Sequence, residues 1–179
     1  MKRALFTMLS LLLTAAGCQQ PAAPEIVKGD ATVGGTDSAD YLDRLSSTET
    51  VSEAVALEGI LQVLGQEQKR SFAQAVGYLR QKGIVSARWT CQADRDVTKG
   101  RVAYMVYQAC GLKGGLTLTL TGPSQRYCLK ELQYLGLMSE GQVYNGVTGM
   151  EYVAILSRAD ELRQTGQVSD VMKREEALE

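Results

Sequence analysis

The chain has 179 residues, with 19 Lys and Arg against 20 Asp and Glu and no histidine. A net charge of −1 argues against the strongly basic surface that nucleic-acid-binding domains need. The lack of histidine excludes Ser-His-Asp and Cys-His catalysis and His-ligated zinc. The sequence therefore predicts a non-catalytic protein that requires no cofactor and no metal ion.

The first segment of the chain has the pattern of an export signal. Two basic residues precede a 13-residue apolar stretch, 4–16, which is too short to cross a bilayer as a helix. The "AAGC" that follows resembles a bacterial lipobox, in which small residues precede the cysteine that becomes acylated. We predict a lipoprotein signal peptide over residues 1–17 and a lipid anchor at Cys18. Ordinary secretory cleavage near Gly17, leaving Cys18 as a free thiol, is the alternative.

A polar tether is predicted between this anchor and the folded domain. Residues 18–38 contain two of the three prolines and show no helical periodicity, which is typical of a flexible linker. Gln19, rather than Asp, follows the cysteine, and by analogy with enterobacterial sorting this favours the outer membrane. The predicted location is the bacterial cell envelope, with the lipid-anchored protein at the outer membrane or facing the periplasm.

A repeat with a period near fifty residues follows the tether. "AVGYLRQKGIV" (75–85) aligns with "CLKELQYLGLM" (128–138), and "VTKGRVAYMVYQA" (97–109) aligns with "VTGMEYVAILSRA" (147–159). A weaker copy, "VSEAVALEGILQV", occupies 51–63. The copies place apolar residues at helical spacing on both sides of a polar loop. We therefore expect a mainly α fold of three helix-loop-helix repeats.

Capping residues mark the helix ends in these copies. Ser52, Thr98 and Thr148 each stand just before the second helical pattern, as N-caps do. Gly83 and the aligned Gly136 follow the first helical pattern, where a left-handed glycine ends a helix. The sequence thus predicts where each helix begins and ends.

One segment departs from the repeat. "LTLTLTGPS" (116–124) alternates strictly between apolar and polar residues, which predicts one short inserted β-strand at 116–121. Its partner is left open between 86–91 and 142–144. The domain is predicted over residues 39–165, followed by a charged surface tail at 166–179.

Three cysteines fall within this domain. An odd number permits at most one internal disulfide, and the pairing among Cys91, Cys110 and Cys128 is left open. Cys110 and Cys128 occupy inward-facing helical positions, so we expect both to pack as buried thiols.

Residues 50–160, approximately, resemble S-layer homology (SLH) domains. The pattern that carries the resemblance is an apolar helix ending in "GIV", a polar loop, and then Val-Thr before a second helix. The resemblance implies a pseudo-threefold bundle of three helical repeats that binds cell-wall polysaccharide. The family opens its second helix with Thr-Arg-Ala-Glu, and the middle copy here reads "TKGR" (98–101). The family's ligand-contacting Arg thus corresponds to Lys99, and to Glu53 and Gly149 in the other copies. The inserted strand is a departure from the family.

Positive charge is concentrated in the middle copy and its loop. Against Asp94 and Asp96 stand seven basic residues: Arg80, Lys82, Arg88, Arg95, Lys99, Arg101 and Lys113. The only tryptophan, Trp89, lies in the same loop, and an aromatic face beside cations suits an anionic sugar. A solvated charged face with Trp89 in the core is the other interpretation. The candidate ligand-binding residues are Lys99, Thr98, Arg101, Trp89, Arg88 and Arg95.

These patterns predict a non-catalytic envelope lipoprotein that binds an anionic cell-wall glycan or peptidoglycan-linked polymer and tethers the envelope. A protein-interaction module or a structural scaffold is the alternative, with the 116–121 strand or a helical face docking an envelope protein. We expect Lys99 to be exposed at the start of its helix, so that Lys99→Ala should reduce binding without changing stability.

Overall fold

A computed structural model describes residues 31–34, 38–66, 68–114 and 116–166, and these residues are mainly helical, as expected. Seven helices and two short strands occur in them. In chain order they are β1 (Thr32–Val33), α1 (Ser38–Ser46), α2 (Glu53–Val63), β2 (Arg70–Ser71), α3 (Phe72–Gln81), α4 (Lys99–Ala109), α5 (Leu116–Thr121), α6 (Gln125–Tyr134) and α7 (Gly149–Thr165).

Several sequence-based predictions fall outside the described residues. These are the signal peptide (1–17), the anchor at Cys18, most of the tether (18–38) and nearly all of the tail (166–179). Among the described helices, none combines the length and the apolar character needed to cross a membrane.

The end of the predicted tether contributes to the fold. Thr32 pairs with Ser71 and Val33 with Arg70, which makes β1 and β2 an antiparallel pair. The side chain of Val33 is buried against the core. The chain therefore joins the fold beside the start of α3.

The predicted N-caps are confirmed for three helices. The side-chain oxygens of Ser52, Thr98 and Thr148 accept hydrogen bonds from the backbone N–H three residues on, at 3.3–3.4 Å. Each satisfies one of the N–H groups that the first turn of a helix leaves without an intrahelical acceptor. α2, α4 and α7 thus start where the sequence places them.

The starts of α2, α4 and α7 meet, and we call this meeting point the junction. The first N–H of each helix donates to a carbonyl in the loop before another of the three. These bonds join Glu53 N to the oxygen of Arg95 (2.8 Å), Lys99 N to that of Asn145 (2.8 Å), and Gly149 N to that of Thr48 (2.9 Å). Val51, Val97 and Val147, which precede the caps, are buried there. The helix starts are held by one another as well as by their caps.

α2 is the most enclosed helix, as its apolar sequence predicts. A Cβ at Gly59 would lie 2.7 Å from the side chain of Leu156 and 2.7 Å from the hydroxyl of Tyr41, so only glycine permits this approach. The hydroxyl of Tyr152 donates to the Ala56 carbonyl at 2.6 Å. Burial raises the pKa of that hydroxyl well above its usual value.

α3 and α6 end in the same way. Gly83 and Gly136 have φ of 72° and 71°, a left-handed conformation that glycine adopts without strain. The residue after each glycine donates its N–H to the carbonyl of Leu79 or Leu132, at 2.9 and 2.8 Å. Both leucines are fully buried. The predicted glycine stops are therefore confirmed.

The prediction of a β-strand at 116–121 is wrong, because these residues form helix α5. A lone strand leaves its backbone groups without partners, whereas a helix satisfies them internally. One of the two expected partner segments, 142–144, already pairs elsewhere, because the Val143 carbonyl accepts from the Gly100 N–H at 2.9 Å. As a helix, α5 buries Leu118 and exposes Leu120.

Candidate functional site

Glu53, the first residue of α2, is the centre of a buried ion cluster. Its side chain is 5% exposed, and its Oε1 accepts from Nε (2.8 Å) and Nη2 (2.6 Å) of Arg95 and from Nη1 of Arg101. Its Oε2 accepts from the Gln92 N–H at 2.8 Å. A buried carboxylate loses its hydration, and these donors replace it. Two of the seven basic residues are thus committed to one acid.

Trp89 lies over this cluster and is half-buried. The guanidinium carbon of Arg101 lies 5.0 Å from the centre of its ring, within the range of a cation–π contact. The ring of Tyr104 meets it edge-on, with 5.1 Å between centroids. The tryptophan is therefore fixed in place, neither fully buried in the core nor fully in solvent.

The backbone beside this ring binds further guanidinium groups. The carbonyl of Trp89 accepts from Nη2 of Arg80, and the carbonyl of Thr90 accepts from Arg95 and, at 3.3 Å, from Arg101. Three guanidinium groups and the Glu53 carboxylate thus meet beside Trp89 and Thr90, and among these four groups positive charge is in excess. The exposed Asp94 and Asp96 lie further along the same loop.

A small apolar cavity lies under the ring, between α2 and α4. Its volume is about 10 Å³, and it is lined in part by Leu57, Cys91 and Met105. That volume is close to the minimum for one water molecule. A sugar ring is much larger, so a sugar would have to bind on the outer side of Trp89.

The expectation that Lys99 is exposed is wrong. Its side chain is 8% exposed, and Nζ lies 2.6 Å from Oε1 of Glu151 and 2.9 Å from both Oγ of Ser139 and the carbonyl oxygen of Glu140. The loop before α7 covers the start of α4 and encloses the ammonium group. All three hydrogens of that group have acceptors within the protein, which argues against Lys99 as a ligand contact.

Lys99→Ala should therefore lower the free energy of unfolding by about 2 kcal/mol, because it leaves the Glu151 carboxylate without its cation in a mostly dry site. Urea denaturation followed by circular dichroism measures this. The matched control is Lys130→Ala, an exposed lysine on α6, which should change stability by less than about 0.5 kcal/mol. Equal stability of the two variants would contradict the buried ion pair.

The two ion pairs occupy equivalent places with opposite polarity. In the first, Glu53 at the first position of α2 meets Arg101 at the third position of α4. In the second, Lys99 at the first position of α4 meets Glu151 at the third position of α7. The first position of α7 is Gly149, which has no side chain to pair. The repeat alignment places Glu53 and Lys99 at the same position, so it already indicates that the two residues have equivalent roles. From the sequence alone, Glu53 is interpreted only as a position where the SLH family's ligand-contacting Arg is missing.

The structure divides the six candidate ligand residues into separate groups. It brings Trp89, Arg95 and Arg101 together around Glu53, whereas Lys99 belongs to the other ion pair. Thr98 is the cap of α4, and Arg88 is exposed in the loop next to Trp89. The outer side of Trp89 with Arg88, which we call the Trp89 surface, is the part open to a ligand.

Cys91, Cys110 and Cys128, the cysteines among the described residues, are free thiols. Burial raises the pKa of Cys110 to about 11 and that of Cys128 to about 12, and burial and then Glu53 raise the pKa of Cys91. All three therefore stay protonated near neutral pH. Cys128 is a buried packing group, as expected, whereas Cys110 is only partly buried against the core. In the part of the chain that the structure describes, no three carboxylate or thiol groups are placed to hold a metal ion.

Comparison of the chain with protein-family models, with curated proteins and with solved structures gives no match.

Proposed function

We propose that this chain is a non-catalytic lipoprotein of the bacterial cell envelope, anchored through Cys18, that binds an anionic cell-wall glycan at the Trp89 surface. The observation that carries the proposal is the half-exposed Trp89 ring, held by Arg101 above a cluster with surplus positive charge. A rigid aromatic face with cations at its edge fits a sugar ring that bears carboxylate or phosphate groups. The lipid then holds the membrane and the domain holds the wall.

We further propose that the domain is a pseudo-threefold, SLH-like bundle of helix-loop-helix repeats. Three features support this: the matching caps of α2, α4 and α7, the cyclic order of backbone bonds at the junction, and the matching ends of α3 and α6. In this bundle we assign glycan contact to the Trp89 surface and not to Lys99, the residue that the SLH resemblance implies, because Lys99 is buried.

The surplus charge is what makes this surface attractive to an anion. Arg95 and Arg101 share one carboxylate, Glu53, and Arg80 donates to the neighbouring Trp89 carbonyl, within a partly buried region where solvent screening is reduced. An anionic group beside Trp89 would reduce the mutual repulsion of the three guanidinium groups. We expect binding to weaken as salt rises.

Cys18→Ser tests the anchor. The variant should leave the membrane fraction or accumulate as a precursor that keeps residues 1–17, because the acylated thiol is gone. Fractionation with intact-mass measurement follows both outcomes. Unchanged fractionation together with an unchanged mass would contradict lipidation.

Trp89→Ala and Arg88→Ala should each reduce binding to purified sacculi by about 5–10-fold, the effect of losing a stacking ring or a charge-assisted hydrogen bond. Trp89 is the only tryptophan, so its fluorescence also reports soluble wall fragments directly. Arg88 is exposed, so Arg88→Ala should keep the wild-type melting temperature and separate binding from folding.

Lys113→Ala is the matched control, an exposed basic residue of the same region that should bind as the wild type does. Equal binding by all four proteins would contradict the Trp89 surface as the glycan site.

A protein-interaction module is the second candidate function, and exposed large apolar side chains favour it. Tyr134 and Tyr144 are each 87% exposed, and Leu120 and Met150 are also exposed. Co-purification of one stoichiometric envelope protein, lost in Tyr134→Ala or Tyr144→Ala, together with no sacculus binding, would support this function over glycan binding.

A further inference from the structure

A stretch of the chain around α3 carries only positive charge. Residues 68–93 contain five Lys and Arg and no Asp or Glu. Arg80 is directed to the Trp89 carbonyl, whereas Lys69 and Lys82 are exposed and Arg70 is half-buried. The proposed glycan site uses none of these last three.

Two of these cations, Arg70 and Lys82, lie beside one aromatic ring, and the exposed Lys69 is next to Arg70 in the chain. The guanidinium carbon of Arg70 lies 4.7 Å from the centre of the Tyr78 ring, and Nζ of Lys82 lies 5.8 Å from it. Arg70 is further held by the side-chain oxygens of Gln66 (3.3 Å) and Gln68 (3.2 Å). We call Arg70, Lys82 and the Tyr78 ring, together with the exposed Lys69 that precedes Arg70, the Tyr78 cluster.

The Tyr78 cluster lies where the chain joins the fold. β1 pairs with β2, so Val33 is opposite Arg70, and the Ala31 carbonyl accepts from the Phe72 N–H at 3.0 Å. Ala31 is 13 positions after Cys18, so at ~3.3–3.6 Å per residue the chain between them spans at most about 45 Å. A lipid at Cys18 would therefore hold the start of the fold, and the Tyr78 cluster beside it, within about 45 Å of the bilayer.

The Tyr78 cluster and the Trp89 surface lie on different sides of α3. Tyr78 and Lys82 are four residues apart and share one face of the helix. Arg80, which contacts the Trp89 carbonyl, is two residues from each and is therefore roughly 200° around the helix from them. A surface can contact the Tyr78 cluster while a second ligand occupies Trp89.

We propose that the Tyr78 cluster binds anionic phospholipid headgroups, so that the domain lies on the bilayer with the Trp89 surface turned away from it. This inference rests on the proposed lipid anchor. The tether holds the cluster at a high effective concentration next to the headgroups, and the Arg and Lys side chains lie within one Debye length, about 8 Å, of any surface that they touch. Orientation then follows from the fold, because the same face holds both the start of the fold and the cations.

Lysine labelling of the lipidated, full mature protein in vesicles tests this inference. The protein is reconstituted into phosphatidylcholine vesicles with or without phosphatidylglycerol, and a membrane-impermeant amine reagent is added. Acetylation at Lys69 and Lys82 should be at least about threefold slower in the anionic vesicles, and raising the salt to about 1 M, where the Debye length is ~3 Å, should restore it. Lys113 and Lys130, which are exposed elsewhere, are the internal controls and should label equally in all conditions.

The outcomes separate this inference from the proposed function. A protein that floats with both vesicles but labels equally at Lys69 and Lys82 would overturn membrane contact and leave the lipid anchor intact. A protein that floats with neither vesicle would contradict the anchor and the inference together. Protection of the two lysines by sacculi but not by anionic vesicles would overturn membrane contact and assign the Tyr78 cluster to a wall polymer.

Discussion

Replacing Gly149 by Ala should lower the free energy of unfolding by at least about 3 kcal/mol. A Cβ at this position would overlap the carbonyl oxygen of Leu45 and lie 2.9 Å from that of Thr48. Both neighbours are backbone atoms, so no side-chain rotation makes room. The start of α7 would have to move, and the hydrogen bond from Gly149 N to the Thr48 carbonyl would be lost.

Gly77→Ala is the matched control for this experiment. Gly77 lies inside α3, and a Cβ there would meet no atom within 4 Å. Because Ala favours the helix over Gly, this variant should be more stable than the wild type by about 0.5–1 kcal/mol. Urea denaturation of both variants gives the two changes. A Gly149→Ala protein as stable as the wild type would mean that α7 does not start against Leu45, at the end of α1, and Thr48.

Glu53→Gln should be the second strongly destabilised variant, by about 3 kcal/mol, the lower end of the range for breaking a buried ion pair. The amide keeps the shape of the side chain but removes the charge that Arg95 and Arg101 share. Those two guanidinium groups would then lie next to each other with no carboxylate between them. Arg95 stays 36% exposed, and this limits the loss.

Glu49→Gln is the control for Glu53, since Glu49 is an exposed carboxylate in the loop before α2. It should change stability by less than about 0.5 kcal/mol. Chemical denaturation at low and at high salt provides the measurement, and the Glu53 effect should persist at high salt because the cluster is mostly dry. A Glu53 effect as small as that of Glu49 would show that the cluster is solvated.

The sequence predicted the features that depend on neighbouring residues. The caps at Ser52, Thr98 and Thr148 act within one helical turn, and the stops at Gly83 and Gly136 act within one turn as well. The apolar stripes of these helices have one periodicity along the chain. Local rules of this kind can be read without knowing what packs against the helix.

The features that were missed depend on residues far apart in the chain. Glu53 meets partners 39 to 48 residues away, and Lys99 meets residues 40 to 52 positions away. A charged residue just after a cap normally faces solvent, and only the loop that covers the start of α4 reverses this for Lys99. The alternating pattern at 116–121 predicts a strand, but pattern alone does not show whether a strand there would find a partner, and these residues form helix α5.

The order of backbone bonds at the junction has a consequence for how the chain folds. α7 is the last described helix in the chain, yet its first N–H donates to the Thr48 carbonyl. α7 also packs against α1, the first described helix. The set of three backbone hydrogen bonds at the junction is therefore incomplete until Gly149 is available. The last of these bonds joins segments about a hundred residues apart. Such closure is slow compared with forming each helix. In the proposed export, the chain crosses a membrane starting from its N-terminus. The domain would then complete its fold only after α7 has also crossed.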